Sequence, residues 1–251
     1  MTLHIPLAHV LAALIGVSLG LLGSGGSITT LPVLVYVAGI PVRQAVGMSL
    51  VIVGGTAAVG SYRRFREGNL ALRPALLFAT TGMAGSFFGA RLTHLVAARV
   101  LLLIFGCLML VVGMAMLRKR TNKTRHATCQ LIRCLLVGMA VGVITGFLGV
   151  GGGFLILPAL VLFAGIDMKK ALGTSLAVIA VNSMSGLAGQ LLYVHFNWRL
   201  TVGFLSMAVA GMFLGQALAN RLAADSLRRA FAWIIIALGL FLLFSNAIPR
   251  A

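Results

Sequence analysis

Two glycine-rich stretches are the residues of this chain whose type and spacing bear most directly on chemistry. They are Gly23-Ser24-Gly25-Gly26-Ser27 and Gly149-Val150-Gly151-Gly152-Gly153. Each glycine inside a helix costs about 1 kcal/mol relative to alanine, so a run of small residues reads as an interruption. A helix that begins after such an interruption presents unpaired N–H groups and a partial positive charge. That combination binds an anion without any charged side chain. The candidate binding residues are therefore Gly23, Ser24, Gly25, Gly26 and Ser27 in one stretch, and Gly149, Gly151, Gly152 and Gly153 in the other. The competing use of glycine is close helix packing through Gly-x-x-x-Gly, which fits Gly16 with Gly20 and Gly142 with Gly146.

Hydroxyls and amides form a second tier. Ser27, Thr29 and Thr30 follow the first stretch, and Ser49, Ser175, Thr174 and Asn182 lie in apolar runs, as do Gln190, Gln216 and Asn220. Each can bond a ligand oxygen or a neighbouring helix, and for any one of them the helix is the commoner partner. Ser49 and Ser175 rank first, because each follows a glycine by two residues in matching surroundings.

Other chemistry finds little support. Gly16-Val17-Ser18-Leu19-Gly20 has the letters of a nucleophile elbow but no strand before it and no acid in reach. There is no phosphate-binding G-x-x-x-x-G-K-[ST], and the five histidines have no metal spacing. His9 and His195 fall near membrane ends, where interfacial placement competes with a part in proton coupling. Cys107, Cys129 and Cys134 read as structural thiols. The expectation is of no enzyme, no metal and no cofactor.

The elements that must position these residues follow from composition. The chain has 251 residues, 60% hydrophobic and only 9% charged, with mean hydropathy +1.09. Soluble domains carry about 25% charged residues, so the expected class is an all-α polytopic membrane protein. The formal charge of +17 would point to nucleic acid in a soluble protein. Here the basic residues fall between apolar runs and orient the chain in the bilayer. Glu67, Asp167 and Asp225 are the only acids, and all lie in loops or at span ends. No mid-span carboxylate is present for an Asp/Glu proton relay.

The chain is also a duplication. Residues 16–60 and 142–186 align without a gap at an offset of 126, with 19 identities in 45 positions. Apolar composition alone matches Leu, Val and Ala, but it does not align Gly16, Gly20, Gly23, Gly25, Gly26, Pro32, Gly39, Gly47, Ser49 and Gly60 with identical partners. Further on, Gly85, Arg91, Leu92 and Arg99 match Gly215, Arg221, Leu222 and Arg229 at an offset of 130. The expected organisation is a first transmembrane repeat over 1–117, a basic linker over 118–132 and a second repeat over 133–251.

Each half reads as five apolar elements: 6–22, 28–40, 43–61, 74–91 and 98–117, then 133–149, 153–166, 169–192, 200–220 and 228–247. The second of each set rises only about 20 Å, short of the hydrocarbon core of about 30 Å, so each half holds a broken helix. Arg118, Lys119, Arg120, Lys123, Arg125 and Arg133 place the linker in the cytosol. Loop 62–73 is rich in arginine, whereas 190–199 holds only Arg199, which makes the two repeats inverted.

The paired G-x-x-x-G-x-x-G-x-G-G stretches followed by Leu-Pro resemble the sulfite exporter TauE/SafE family over nearly the whole chain. The resemblance implies a bacterial inner-membrane secondary transporter for a small anion such as sulfite, an organosulfonate or a related carboxylate. Its partners are then the anionic substrate and the bilayer, with no nucleic acid, and the oligomeric state is open, a homodimer included. The alternative is a membrane-embedded assembly factor or scaffold without transport. That reading accounts for the bundle but not for the twin glycine interruptions.

Overall fold

The computed structural model describes residues 4–23, 25–92, 95–118, 131–148, 153–190 and 197–247. Among them there are ten α-helices and no strand: α1 (His4–Leu22), α2 (Gly25–Pro32), α3 (Val42–Arg66), α4 (Leu72–Leu92), α5 (Ala98–Arg118), α6 (Leu131–Leu148), α7 (Gly153–Leu162), α8 (Met168–Gln190), α9 (Trp198–Arg221) and α10 (Ala224–Ala247). Five helices are long and apolar enough to cross a membrane, those spanning Val42–Arg66, Arg99–Arg118, Met168–Gln190, Trp198–Arg221 and Ala224–Ser245. The all-α membrane architecture is as expected.

The interior helices are α3 and α8. Ala45 to Leu50 are six consecutive buried residues, as are Ala171 to Leu176. A helix with one wet or lipid-facing side cannot bury an unbroken turn and a half, so these stretches of both are surrounded on all sides. The outer helices carry the exposed apolar side chains, among them Leu76 and Phe88 on α4, Leu214 on α9 and Trp233 and Phe244 on α10. In a bilayer such residues meet lipid rather than water.

Glycines set the seams between helices. A Cβ on Gly16 would strike the backbone of Ala208, and one on Gly142 the backbone of Gly82. Likewise Gly211 lies against Ala13 and Val17, and Gly85 against Met139 and Val143. Adding 126 to one member of a pair and subtracting it from the other converts the α1–α9 seam into the α6–α4 seam. The expected offset of 130 in this stretch is therefore not the one the contacts follow. Gly85 and Gly89 sit one turn apart, as do Gly211 and Gly215, so a slip of four residues still matches glycine to glycine.

The short second elements differ in detail from expectation. Helix α2 begins at Gly25, not 28, and passes at Pro32 into a π-helical turn, Val33–Val37. Proline has no N–H to give the preceding turn, and the wider turn follows directly. Helix α7 has ten residues, with Pro158 inside it. At about 1.5 Å per residue neither crosses a bilayer alone. Helix α3 runs five residues past its expected end at 61. Arg63, Arg64 and Arg66 belong to its last turn, where cations complement the helix C-terminus, and not to a loop. Cys107 is an exposed free thiol, while Cys134, expected as a thiol, is disulfide-bonded.

Candidate functional site

The first interruption falls between α1 and α2. Gly23 has φ +67°, a left-handed conformation open to glycine without strain. An added Cβ there would lie 2.9 Å from Leu172 Cα and O on α8. Both the conformation and the space exclude a side chain at this position. Helix α2 starts two residues after Gly23, and its first turn holds Gly25, Gly26 and Ser27. Ser24, Gly149, Gly151 and Gly152 lie outside the described residues, as does His195. Helix α6 ends at Leu148 and α7 starts at Gly153, so the second stretch also lies between two helices.

The hydroxyls expected beside these stretches are buried and bonded within the protein. Ser175 Oγ donates to Leu172 O at 2.9 Å and lies 3.5 Å from Gly23 O. Its single hydrogen goes to the shorter contact. Ser49 Oγ donates to Val46 O at 2.8 Å. Thr174 Oγ1 donates to Lys170 O at 2.8 Å and accepts from the Ala71 N–H at 3.0 Å, which ties the start of α4 to α8. Gly23, Ser175 and, one residue away, Thr174 are thus gathered at one level of α8. Asn182 is not among them. Seven residues further, about 10 Å along the helix, it faces α4, where its Nδ2 lies 2.6 Å from a Cβ on Gly82. Ser86 Oγ donates to Asn182 O at 2.9 Å, and Asn182 Oδ1 is buried without a partner. Gln216 Nε2 donates to Gly60 O at 3.1 Å and Gln190 Nε2 to Ala90 O at 3.3 Å, both across helix seams. Ser18, in the elbow-like pentapeptide, donates to Ile15 O inside α1.

A polar cleft of about 490 Å³ opens where α3 ends and α8 begins, lined by Arg64, Glu67, Asn69, Lys169, Leu172, Ala219 and Asn220. Arg64 is only 4% exposed. Its Nη1 donates to Asn220 Oδ1 at 2.7 Å and to Glu67 Oε2 at 3.2 Å, while its Nε is buried without a partner. Arg63 Nε donates to the other carboxylate oxygen of Glu67 at 3.1 Å. Leu172 belongs both to this cleft and to the surface on which Gly23 rests. A second hollow of about 480 Å³, between α4 and α8, is lined almost entirely by apolar groups: Met83, Ala84, Phe87, Val181, Met184 and Ser185.

Residues 8–242 match the family described as sulfite exporter TauE/SafE. The chain belongs to that family. Among TauE/SafE relatives, a probable membrane transporter protein of Xylella fastidiosa strain Temecula1 is 38% identical over 93% of this chain and 92% of its own. One from Xylella fastidiosa strain 9a5c is 34% identical over 93% and 92%. The probable membrane transporter protein YdhB of Bacillus subtilis is 27% identical over 92% and 97%. No solved structure matches the chain. This TauE/SafE protein is a multi-pass membrane transporter, and relatives named as transporters point away from an enzyme.

The residue of this TauE/SafE chain that sequence reasoning missed is Arg64. Its charge and its arginine neighbours read as a loop. The signal was present: extending the gapless repeat four residues past Gly60 and Gly186 aligns Arg64 with Gln190, a polar residue already set apart inside an apolar run.

Proposed function

We propose that this TauE/SafE protein carries a small anion, such as sulfite, an organosulfonate or a related carboxylate, across the bacterial inner membrane, and that the start of α2 holds it. The observation that carries the reading is the left-handed backbone at Gly23, φ +67°, which ends α1 ahead of a helix whose first turn is Gly25, Gly26 and Ser27. Amides at a helix start attract negative charge, and non-helical backbone at membrane depth is tolerated only against protein or a wet cavity. Gly149, Gly151, Gly152 and Gly153 supply the matching half-site, with Ser49, Ser175, Thr174 and Asn182 on the central helices. Two inverted repeats, 1–117 and 133–251, joined by the linker 118–132 on the cytosolic side, support alternating access around such a centre. In favour of a two-fold relation between the repeats, residue pairs exchange between the α1–α9 and α4–α6 seams at a constant offset of 126.

Direction follows from the membrane potential. A monovalent anion leaving a negative interior gains about 2.3 kcal/mol per 100 mV, so export needs no coupled ion. The reading is tested with labelled sulfite in proteoliposomes. Gly26→Leu places a branched side chain where the ligand's donors stand, and flux should fall to background while the protein remains in the membrane. Flux unchanged from wild type would remove α2 from the binding site.

A further inference from the structure

The cleft at Arg64 is not explained by holding helices together. A buried guanidinium normally has its donors matched, because an unmatched buried donor is destabilising, more so on a charged group. Arg64 has a buried Nε without a partner, next to a cleft of about 490 Å³. Its position is also fixed. A Cβ on Gly173 would lie 3.1 Å from Arg64 Cβ and closer still to the carbonyl of Asn69, so α8 presses the base of the side chain into place. Around the cleft three cations, Arg63, Arg64 and Lys169, face one carboxylate, Glu67. Asp167, the nearest further acid in sequence, accepts from the Lys169 N–H at 3.2 Å and caps the start of α8.

We propose that this cleft is a second anion site, a vestibule that receives the transported oxyanion before it reaches the interruption at Gly23. The proposal rests on the anion-transport reading above. Its chemistry is already displayed by Glu67, whose two oxygens are divided between Arg63 at 3.1 Å and Arg64 at 3.2 Å. Glu67 is 28% exposed at its side chain and is attached at the C-terminal end of α3, so it is a tethered carboxylate that a free one displaces. The ligand class is therefore an anion with at least two terminal oxygens, a carboxylate or a sulfur oxyanion, matched to the fork of a guanidinium. Asn220 holds Nη1 from the other side and aims the fork. Leu172 lines the cleft and also lies against Gly23, so one residue touches both the vestibule and the interruption.

The test measures equilibrium binding of labelled sulfite and, separately, acetate to the purified full-length protein at constant ionic strength. Removing the tethered competitor in Glu67→Gln should tighten binding about threefold or more. Lys169→Gln, an exposed change that spares the fold, should weaken it about threefold. Arg64→Gln should weaken it about tenfold or more, with Arg64→Lys between. Affinities in Glu67→Gln and Lys169→Gln indistinguishable from wild type overturn the vestibule, even if Arg64→Gln fails to fold. If wild type binds and only Gly26→Leu reduces binding, anion transport stands and the vestibule falls. If wild type binds neither anion, the transport reading falls first and the vestibule with it.

Discussion

The end of the bundle at Arg64 and the opposite end at Gln190 are built from residues 126 apart, yet at one an arginine lines a polar cleft and at the other a glutamine bridges two closely packed helices. At the closed end, Gly189 lets α4 approach until a Cβ there would lie 2.9 Å from Phe87 O and 3.1 Å from Ala90 Cβ. Gln190 then spans the remaining gap to Ala90 O. At the open end, the residue in the place of Gly189 is Arg63, whose guanidinium lies over the ring of Phe213 at 5.7 Å. Beside it Arg64 reaches Asn220 on α9 and lines the cleft. Glycine at one of two matching positions goes with a close approach of backbones, and arginine at the other goes with a cleft. A duplicated backbone acquires a direction through a few side chains at its ends, while its middle remains alike.

The largest effect should come from the seams that the two halves share. Gly16→Leu and Gly142→Leu each drive a side chain into opposing backbone, at Ala208 and Gly82 respectively. Backbone cannot move aside as a side chain does, so each should cost about 3 kcal/mol or more and remove the monodisperse peak in size-exclusion chromatography. Equal loss in both variants is the expected result. Survival of one would break the equivalence of the α1–α9 and α4–α6 seams.

Next in size is Gln190→Arg, which makes the closed end resemble the open one. The new guanidinium has no counterpart of Asn220 or Glu67 among the described residues nearby. It also lies near Arg91, which stacks on Phe87 at 4.5 Å. An unpaired buried cation is strongly destabilising, and about 3 kcal/mol should be lost, read as a lowered melting temperature. An unchanged melting temperature would show that the closed end is already wet.

Much of this was legible in the residues because membrane helices write themselves in apolar run length, and the ten elements lie near their expected places. The interruption at Gly23 was legible too, since five small residues in a row serve no long helix. The 130 offset misled because Gly-x-x-x-Gly repeats on itself at the spacing of one turn. Arg64 is hidden in the sequence because a charge next to other charges reads as loop. A long side chain in the last turn of a span can bury its base and still find polar partners at the end of the bilayer. Asn182 shares a face of α8 with Ser175 but stands two turns, about 10 Å, further along, where it meets Gly82.

The smallest effects bear on the middle of the bundle, where the two halves should behave alike. Ser49 and Ser175 both give their hydrogen to a carbonyl one turn back in their own helix, Val46 O and Leu172 O. Such bonds are weak contributors, because that carbonyl already accepts from the helix backbone. Ser49→Ala and Ser175→Ala should each change stability by less than about 1 kcal/mol, and by the same amount within error. Ser175 also stands 3.5 Å from Gly23 O, at the long limit of a hydrogen bond. A clearly larger loss in Ser175→Ala would mean that this contact helps hold the α1–α2 turn. Should stability remain equal while only Ser175→Ala raises the KM for sulfite, the hydroxyl serves the ligand, and the two half-sites differ in the middle as well as at the ends.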